Sequence, residues 1–225
     1  MLKLILKKIH NFFLIFRINI SLVKNENNHV SAIEHNTVES MNNFYADSKL
    51  VKNYLEPSRI KFYLKILEIL KNNKIDLNGK SLVDVGCGTG HLLSFINKEY
   101  EPCRIVGYDF ADDALKIARK NVPGADFSLY DIYSAQIEKF DCIFCTEVLE
   151  HLLYPDKALK NLIEMLSSSG MLLLTVPNGR KDMYEGHINF WSPESWKVFL
   201  ENNSNGLSVQ TGIVESSGLF GIINK

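Results

Sequence analysis

Glu147, Glu150 and His151 stand together in the string EVLEH, and His187 follows in EGHINFW. Two carboxylates and two imidazoles are a donor set for a divalent cation, and an imidazole alone can serve as a base for a hydroxyl. If the EVLEH turn is helical, positions i, i+3 and i+4 share a face and the three side chains converge. Upstream, VDVGCGTG (83–90) places Gly86, Gly88 and Gly90 between an apolar run and a helix. Glycines let the backbone turn sharply and let a ligand approach without meeting a Cβ. The helix that begins near His91 adds unsatisfied N–H groups. Asp84 lies inside the strand before this turn, where a buried carboxylate needs a cation or N–H donors. Asp109 closes the next strand, where a carboxylate can accept from two ribose hydroxyls. Asp131 closes the third strand on the same rim. The final glycine spacing is one residue short of the dinucleotide fingerprint, and no Gly-Lys-Ser/Thr follows, so the loop is neither that motif nor a P-loop.

These residues need a scaffold, and hydrophobic periodicity supplies one. Helices are expected at 57–73, 91–99, 111–121, 155–166 and 192–203. Apolar strands are expected at 81–85, 104–110, 126–131, 140–145, 171–177, 207–214 and 217–224. Pro57 suits a first helical turn. The helix at 111–121 starts with acids and ends with bases, as its dipole prefers. Continuously apolar strands alternating with helices indicate a mostly parallel sheet buried on both faces.

Charge excludes some classes. The chain has 25 basic against 26 acidic side chains, so it lacks the basic surplus of a general nucleic-acid binder. Four cysteines are too few for a disulfide scaffold. Cys142 and Cys145 form C-x-x-C, but positions three apart in a strand point to opposite faces, so core thiols are expected. Residues 1–24 carry Lys3, Lys7, Lys8, Arg17 and Lys24 with no acid, and apolar residues at helical spacing. Charges interrupt any membrane-spanning run, and no small-residue cleavage site follows, so a cytoplasmic location is expected. The amphipathic segment reads either as a helix on an anionic membrane surface or as one packed on protein. Polar residues 24–43 read as a linker, giving an N-terminal segment 1–43 and a domain 44–225.

From about residue 44 onward the chain resembles class I S-adenosylmethionine-dependent methyltransferases. The resemblance rests on VDVGCGTG, VGYDFADDALKIAR, FSLYDIY, FDCIFCTEVLEHL and SSSGMLLLTVPN, in the family's order. It implies a doubly wound, Rossmann-like, seven-stranded sheet whose last strand is antiparallel. It implies S-adenosylmethionine as cofactor. Gly86, Gly88 and Gly90 would wall its methionine part, and Asp84 would help to hold the ammonium. Asp109 would bind the ribose, and Asp131 with the backbone of Ile132 would meet the adenine. Thr146 and Glu147 would line the site near the sulfonium.

The E-x-x-E-H…H arrangement is similar to that of ubiquinone-pathway O-methyltransferases and small-RNA 2′-O-methyltransferases. On that pattern Glu147, Glu150, His151 and His187 would hold Mg²⁺ or Mn²⁺. The same string occurs in relatives without metal, where His151 and His187 would act as base or substrate contact. Tyr184, Phe190 and Trp191 are candidates for an acceptor pocket, with Trp191 the stronger candidate for a core anchor. NFYADSKLVKNYLEP resembles a helical lid, from which Tyr45 and Arg59 would reach inward. The expected reaction is methyl transfer to a hydroxyl of a small molecule such as a sugar, quinone or natural-product ring. The alternatives are an RNA 2′-O-methyltransferase and a non-catalytic cofactor-binding module.

Overall fold

In the computed structural model, residues 35–47, 51–215 and 217–225 are described. The amphipathic segment 1–24 lies outside them. Among the described residues no helix is long and apolar enough to cross a membrane.

A single seven-stranded sheet has the order β3-β2-β1-β4-β5-β7-β6. Its strands are β1 (Ser81–Val85), β2 (Arg104–Asp109), β3 (Asp126–Leu129), β4 (Phe140–Thr146), β5 (Leu166–Pro177), β6 (Ser208–Val214) and β7 (Gly218–Asn224). Only β7 runs antiparallel to its neighbours, β5 and β6. The sheet is therefore the expected mostly parallel, doubly wound one, with its antiparallel strand last in sequence. The strand order reverses at β1, which pairs with both β2 and β4. In open α/β sheets a ligand crevice forms at such a reversal, beyond the carboxyl ends of the strands.

Alternate residues of the strands feed two cores. Val83, Ile143, Cys145 and Leu172 face α5 (Pro155–Glu164) and α6 (Pro193–Asn203). Leu82, Cys142, Phe144 and Leu173 face α2 (Pro57–Asn72), α3 (His91–Glu99) and α4 (Asp112–Asn121). Cys142 and Cys145 are thus free, buried thiols on opposite faces of the sheet, as the period of two requires. Each such aliphatic or aromatic side chain contributes about 1.5–3 kcal/mol when fully buried.

The structure corrects three expectations about elements. Val38–Asn43 are not linker: α1 (Val38–Ala46) begins there, with the Thr37 hydroxyl accepting from the Ser40 N–H as N-cap. Tyr45 is buried against Ala111, the N-cap of α4, and Ala114 within it, and Met41 and Phe44 pack on the same cluster. Sparse apolar residues, which the composition hid, suffice once the body offers a surface. Second, the helix at 155 stops at Glu164, and β5 starts at Leu166 rather than at Met171. Leu166 pairs with Phe140, and the Ser167 hydroxyl donates to Asp141, so the polar run SSSG is held in the sheet. Third, β3 ends at Leu129, which leaves Asp131 in the following turn.

Candidate active site

One cavity of about 680 Å³ opens above the carboxyl ends of β1, β2 and β4. Its glycine side is built by local backbone geometry. Gly86 and Gly88 line it with φ of 79° and 50°, in the left-handed region that favours glycine. A Cβ at Gly86 would collide with Cγ2 of Val148. Gly90 does not line the cavity. It caps α3 at φ 74°, and a Cβ there would stand 3.1 Å from Cβ of Ala118, so its smallness serves the packing of α3 on α4.

Asp84 is 2% exposed and its Oδ1 has no hydrogen-bond partner, though it lines the cavity. Burial, reinforced by the charge of Asp109, pushes its carboxyl up to about 8. Asp109 is also buried, but its two oxygens accept from the Gly88 N–H at 2.8 Å and the Ala111 N–H at 2.9 Å. Burial raises its pKa, and these backbone N–H groups oppose the rise. Asp131 and Ile132 line the same cavity, with the Asp131 carboxylate accepting from the Tyr133 N–H. The site therefore offers an orphaned buried carboxylate, a second carboxylate fixed by the glycine loop and a cradle free of Cβ atoms. That combination fits a ligand carrying an ammonium and vicinal hydroxyls.

The opposite side of the cavity is made by the segment after β4. Thr146 and Glu147 both line the cavity. Glu147 takes φ 56°, which breaks the strand and turns the chain into a 3₁₀ turn at Leu149–His151. A non-glycine residue in this region is strained, and such strain is commonly found at functional sites. Because the turn is 3₁₀ and starts after Glu147, the helical face expected for E-x-x-E-H does not form. Glu147 instead accepts from the Thr175 hydroxyl at 3.0 Å.

Glu150 is 1% exposed, and neither carboxylate oxygen has a hydrogen-bond partner. Burial, then the charge of Glu147, pushes its carboxyl well above the ordinary range. The loop after β5 is stapled to this turn. The N–H groups of Ile188 and Asn189 donate to the Glu150 carbonyl at 2.8 and 3.0 Å. The Asn189 amide donates to the carbonyls of Leu149 and Leu152. This brings His187 beside Glu150 and His151, with ring centroids of the two histidines 4.6 Å apart. Nε2 of His151 and Nε2 of His187 stand 3.9 and 4.0 Å from the same oxygen, Oε1 of Glu150.

Among the described residues, Glu150, His151 and His187 are the one group of three or more His, Cys, Asp or Glu residues whose ligand atoms all lie within 4.8 Å of one another. The two separations from Glu150, 3.9 and 4.0 Å, exceed a hydrogen bond and lie within reach of a shared cation. Two ligands at about 2.0–2.2 Å from one ion stand no more than about 4.4 Å apart. Burial, with the neighbouring His187, pushes the His151 pKa down to about 4, so the ring is neutral and able to ligate at neutral pH. Glu147, the fourth expected ligand, is outside this group.

Of the aromatic candidates only Tyr184 lines the cavity. Trp191 is buried against Trp196 and Phe199, while Phe190 is half exposed. Tyr45 and Arg59 line the cavity, and Arg59 with Glu147 also lines a smaller adjoining one of about 330 Å³. Sequence reasoning missed Asp182, whose carboxylate meets Nδ1 of His187 at 2.5 Å. The signal available was an acid five positions before a candidate histidine, in a loop that also carries the aromatics.

Comparison with known proteins agrees with this geometry. The chain is 30% identical over 128 residues to a malonyl-[acyl-carrier protein] O-methyltransferase of Bacillus cereus, covering 56% of this chain and 47% of that protein. It is 29% identical over 163 residues to the mitochondrial ubiquinone biosynthesis O-methyltransferase of Bos taurus, covering 60% and 43%. The chain thus spans about half the length of these relatives. The N-methyltransferase NodS of Bradyrhizobium japonicum, solved with S-adenosyl-L-homocysteine, superposes with a TM-score of 0.65 at 18% identity, over 84% of this chain and 98% of that one. A methyltransferase-domain family profile matches residues 58–209, more than half of the chain. With the sheet order, the glycine turn and the two rim carboxylates already in place, the chain belongs to this methyltransferase-domain family and has the class I S-adenosylmethionine-dependent fold.

Proposed function

We propose that this chain transfers a methyl group from S-adenosylmethionine to a hydroxyl of a small-molecule acceptor. The observation that carries the reading is one cavity with two chemically different ends. Asp84 and Asp109 at one end suit an ammonium and a ribose, and Glu150, His151 and His187 at the other suit a hydroxyl that must lose its proton. When bound, the cofactor supplies an activated methyl on a sulfonium, with a neutral leaving group. The protein's main task is then to hold the acceptor oxygen in line with that methyl, which makes the encounter effectively intramolecular. Both curated relatives are named O-methyltransferases, which favours oxygen as the accepting atom. The test is calorimetry with S-adenosylhomocysteine, followed by an assay of its release from S-adenosylmethionine over a panel of phenols, sugars and quinols. Binding with a 1:1 stoichiometry and hydroxyl-dependent release are expected. No binding of either cofactor form would overturn the reading.

In the same reading, Glu150, His151 and His187 would hold a divalent cation, which would supply a Lewis acid to lower the pKa of the acceptor hydroxyl. Two nitrogens and one carboxylate favour a first-row ion such as Mn²⁺ over Mg²⁺, whose preference is for oxygen. Stripping the protein with a chelator should lower turnover at least about tenfold, with Mn²⁺ restoring it, since a metal ion acting as a Lewis acid contributes several kcal/mol of charge stabilisation. Unchanged turnover in chelator would leave His151 and His187 as metal-free contacts.

A further inference from the structure

The loop that delivers His187 contains a second carboxylate which the reaction scheme above does not use. Asp182 and His187 are nearly enclosed, with side-chain exposures of 9% and 10%. The Asp182 backbone N–H donates to the Asn178 carbonyl at 3.0 Å, and Asn178 is itself tied by its N–H to the Ser217 carbonyl at 2.8 Å. Its Oδ1 accepts from the Tyr184 N–H at 3.2 Å. The remaining oxygen, Oδ2, is thereby aimed at Nδ1 of His187, 2.5 Å away.

A carboxylate oxygen accepts from a ring N–H, so this contact places a proton on Nδ1, and in the neutral ring Nε2 then carries the lone pair. The same logic applies to the neighbouring ring. Nδ1 of His151 lies 3.2 Å from the Gly186 carbonyl, which also only accepts. In the neutral rings both Nε2 atoms, 3.9 and 4.0 Å from Oε1 of Glu150, then carry lone pairs. Without Asp182, the His187 ring in its neutral form could exchange its tautomers, and half of the donor geometry would be lost.

The geometry assigns Asp182 as a positioning residue that fixes the tautomer and ring angle of His187 by accepting its Nδ1–H, so that Nε2 faces Glu150 and His151. This rests on the reading of that cluster as a cation-binding acceptor site. Carboxylates in this position behind a ligating histidine are worth about 10- to 100-fold in metal affinity.

Two measurements on the full chain test it. Long-range ¹H–¹⁵N correlation of the histidine rings at pH 8 reads the tautomer without metal. Wild-type His187 should show the Nδ1–H form, Asp182→Ala should shift it towards Nε2–H, and Asp182→Glu should restore it. Mn²⁺ titration followed by electron paramagnetic resonance should show binding weakened about 10- to 100-fold in Asp182→Ala and Asp182→Asn. Affinity for S-adenosylhomocysteine, whose proposed holds are Asp84 and Asp109, should stay within about twofold, which verifies folding of the variants. An Nε2–H tautomer in wild type, or a tautomer unmoved by Asp182→Ala, would overturn the assignment. If wild type takes up no Mn²⁺, the cation reading falls, and the ring tautomer alone decides the role of Asp182.

Discussion

Asp109→Ala should lower affinity for S-adenosylhomocysteine at least about 100-fold while leaving the chain folded. Hydrogen bonds to a charged group are worth about 1.5–3 kcal/mol each, and two ribose hydroxyls on one carboxylate together reach about 3–6 kcal/mol. Every 1.4 kcal/mol is about tenfold in affinity. The substitution also strips acceptors from the Gly88 and Ala111 N–H groups. Each buried donor left without a partner costs about 1–3 kcal/mol, so a fall in melting temperature accompanies the loss of binding. Calorimetry and thermal melts on the same samples separate the two effects. Asp109→Asn keeps the shape and one acceptor, and should retain more of the stability than of the binding. Cofactor affinity within about threefold of wild type in Asp109→Ala, a change under about 0.7 kcal/mol, would remove Asp109 from the proposed ribose site.

Asp84→Asn should do the opposite to stability: the cofactor-free protein becomes more stable as binding weakens. The carboxyl sits at about 8 in the folded chain, raised first by burial and then by Asp109. Unfolded, the same group ionises in the ordinary carboxylate range near pH 4. Between those values the folded state retains a proton that the unfolded state releases, so stability falls as pH rises. An amide removes that penalty. The gain in melting temperature should be largest near pH 8 and vanish towards pH 4. A gain of about 2–4 °C corresponds to each kcal/mol for a chain of this size.

Binding of an ammonium requires the ionised form, so wild type should release a proton on binding the cofactor at pH 7. Calorimetry in two buffers of different ionisation enthalpy would detect it. Asp84→Asn should abolish the release and weaken binding about 10- to 100-fold, the worth of one charge-assisted hydrogen bond. Equal melting curves across this pH range would show that Asp84 is solvated or paired, and would take away the argument for a cationic ligand there.

The two halves of the site were not equally legible. Asp84, Gly86, Gly88 and Asp109 belong to strand–turn–helix and strand–turn units, whose geometry depends on residues close in sequence. Their positions followed from local pattern, and the parallel sheet that brings β1 beside β2 followed from alternating apolar strands and helices. Gly90 was legible as a necessary glycine but not as a packing residue, because its neighbour Ala118 lies on another helix.

The cluster of Glu150, His151 and His187 depended on contacts that local pattern does not encode. EVLEH could have been a helix, in which case Glu147 would have joined the cluster. The left-handed φ of Glu147 and the hydrogen bond it accepts from Thr175 of β5 decided otherwise. Donation from Ile188 and Asn189 to the Glu150 carbonyl carried His187 into place from a distant loop. Asp182 became meaningful only when its Oδ2 was seen against Nδ1 of that ring. Likewise α1 formed where the polar composition indicated a linker, because α4 offered Tyr45 an apolar seat. Sequence alone therefore determined the mostly parallel sheet, the glycine turn and the carboxylates at the ends of β1 and β2, whose geometry is set by short-range backbone preferences and hydrophobic period. Tertiary structure alone decided which acids and imidazoles share a point in space, because that convergence is set by long-range hydrogen bonds and packing between segments that no local pattern links.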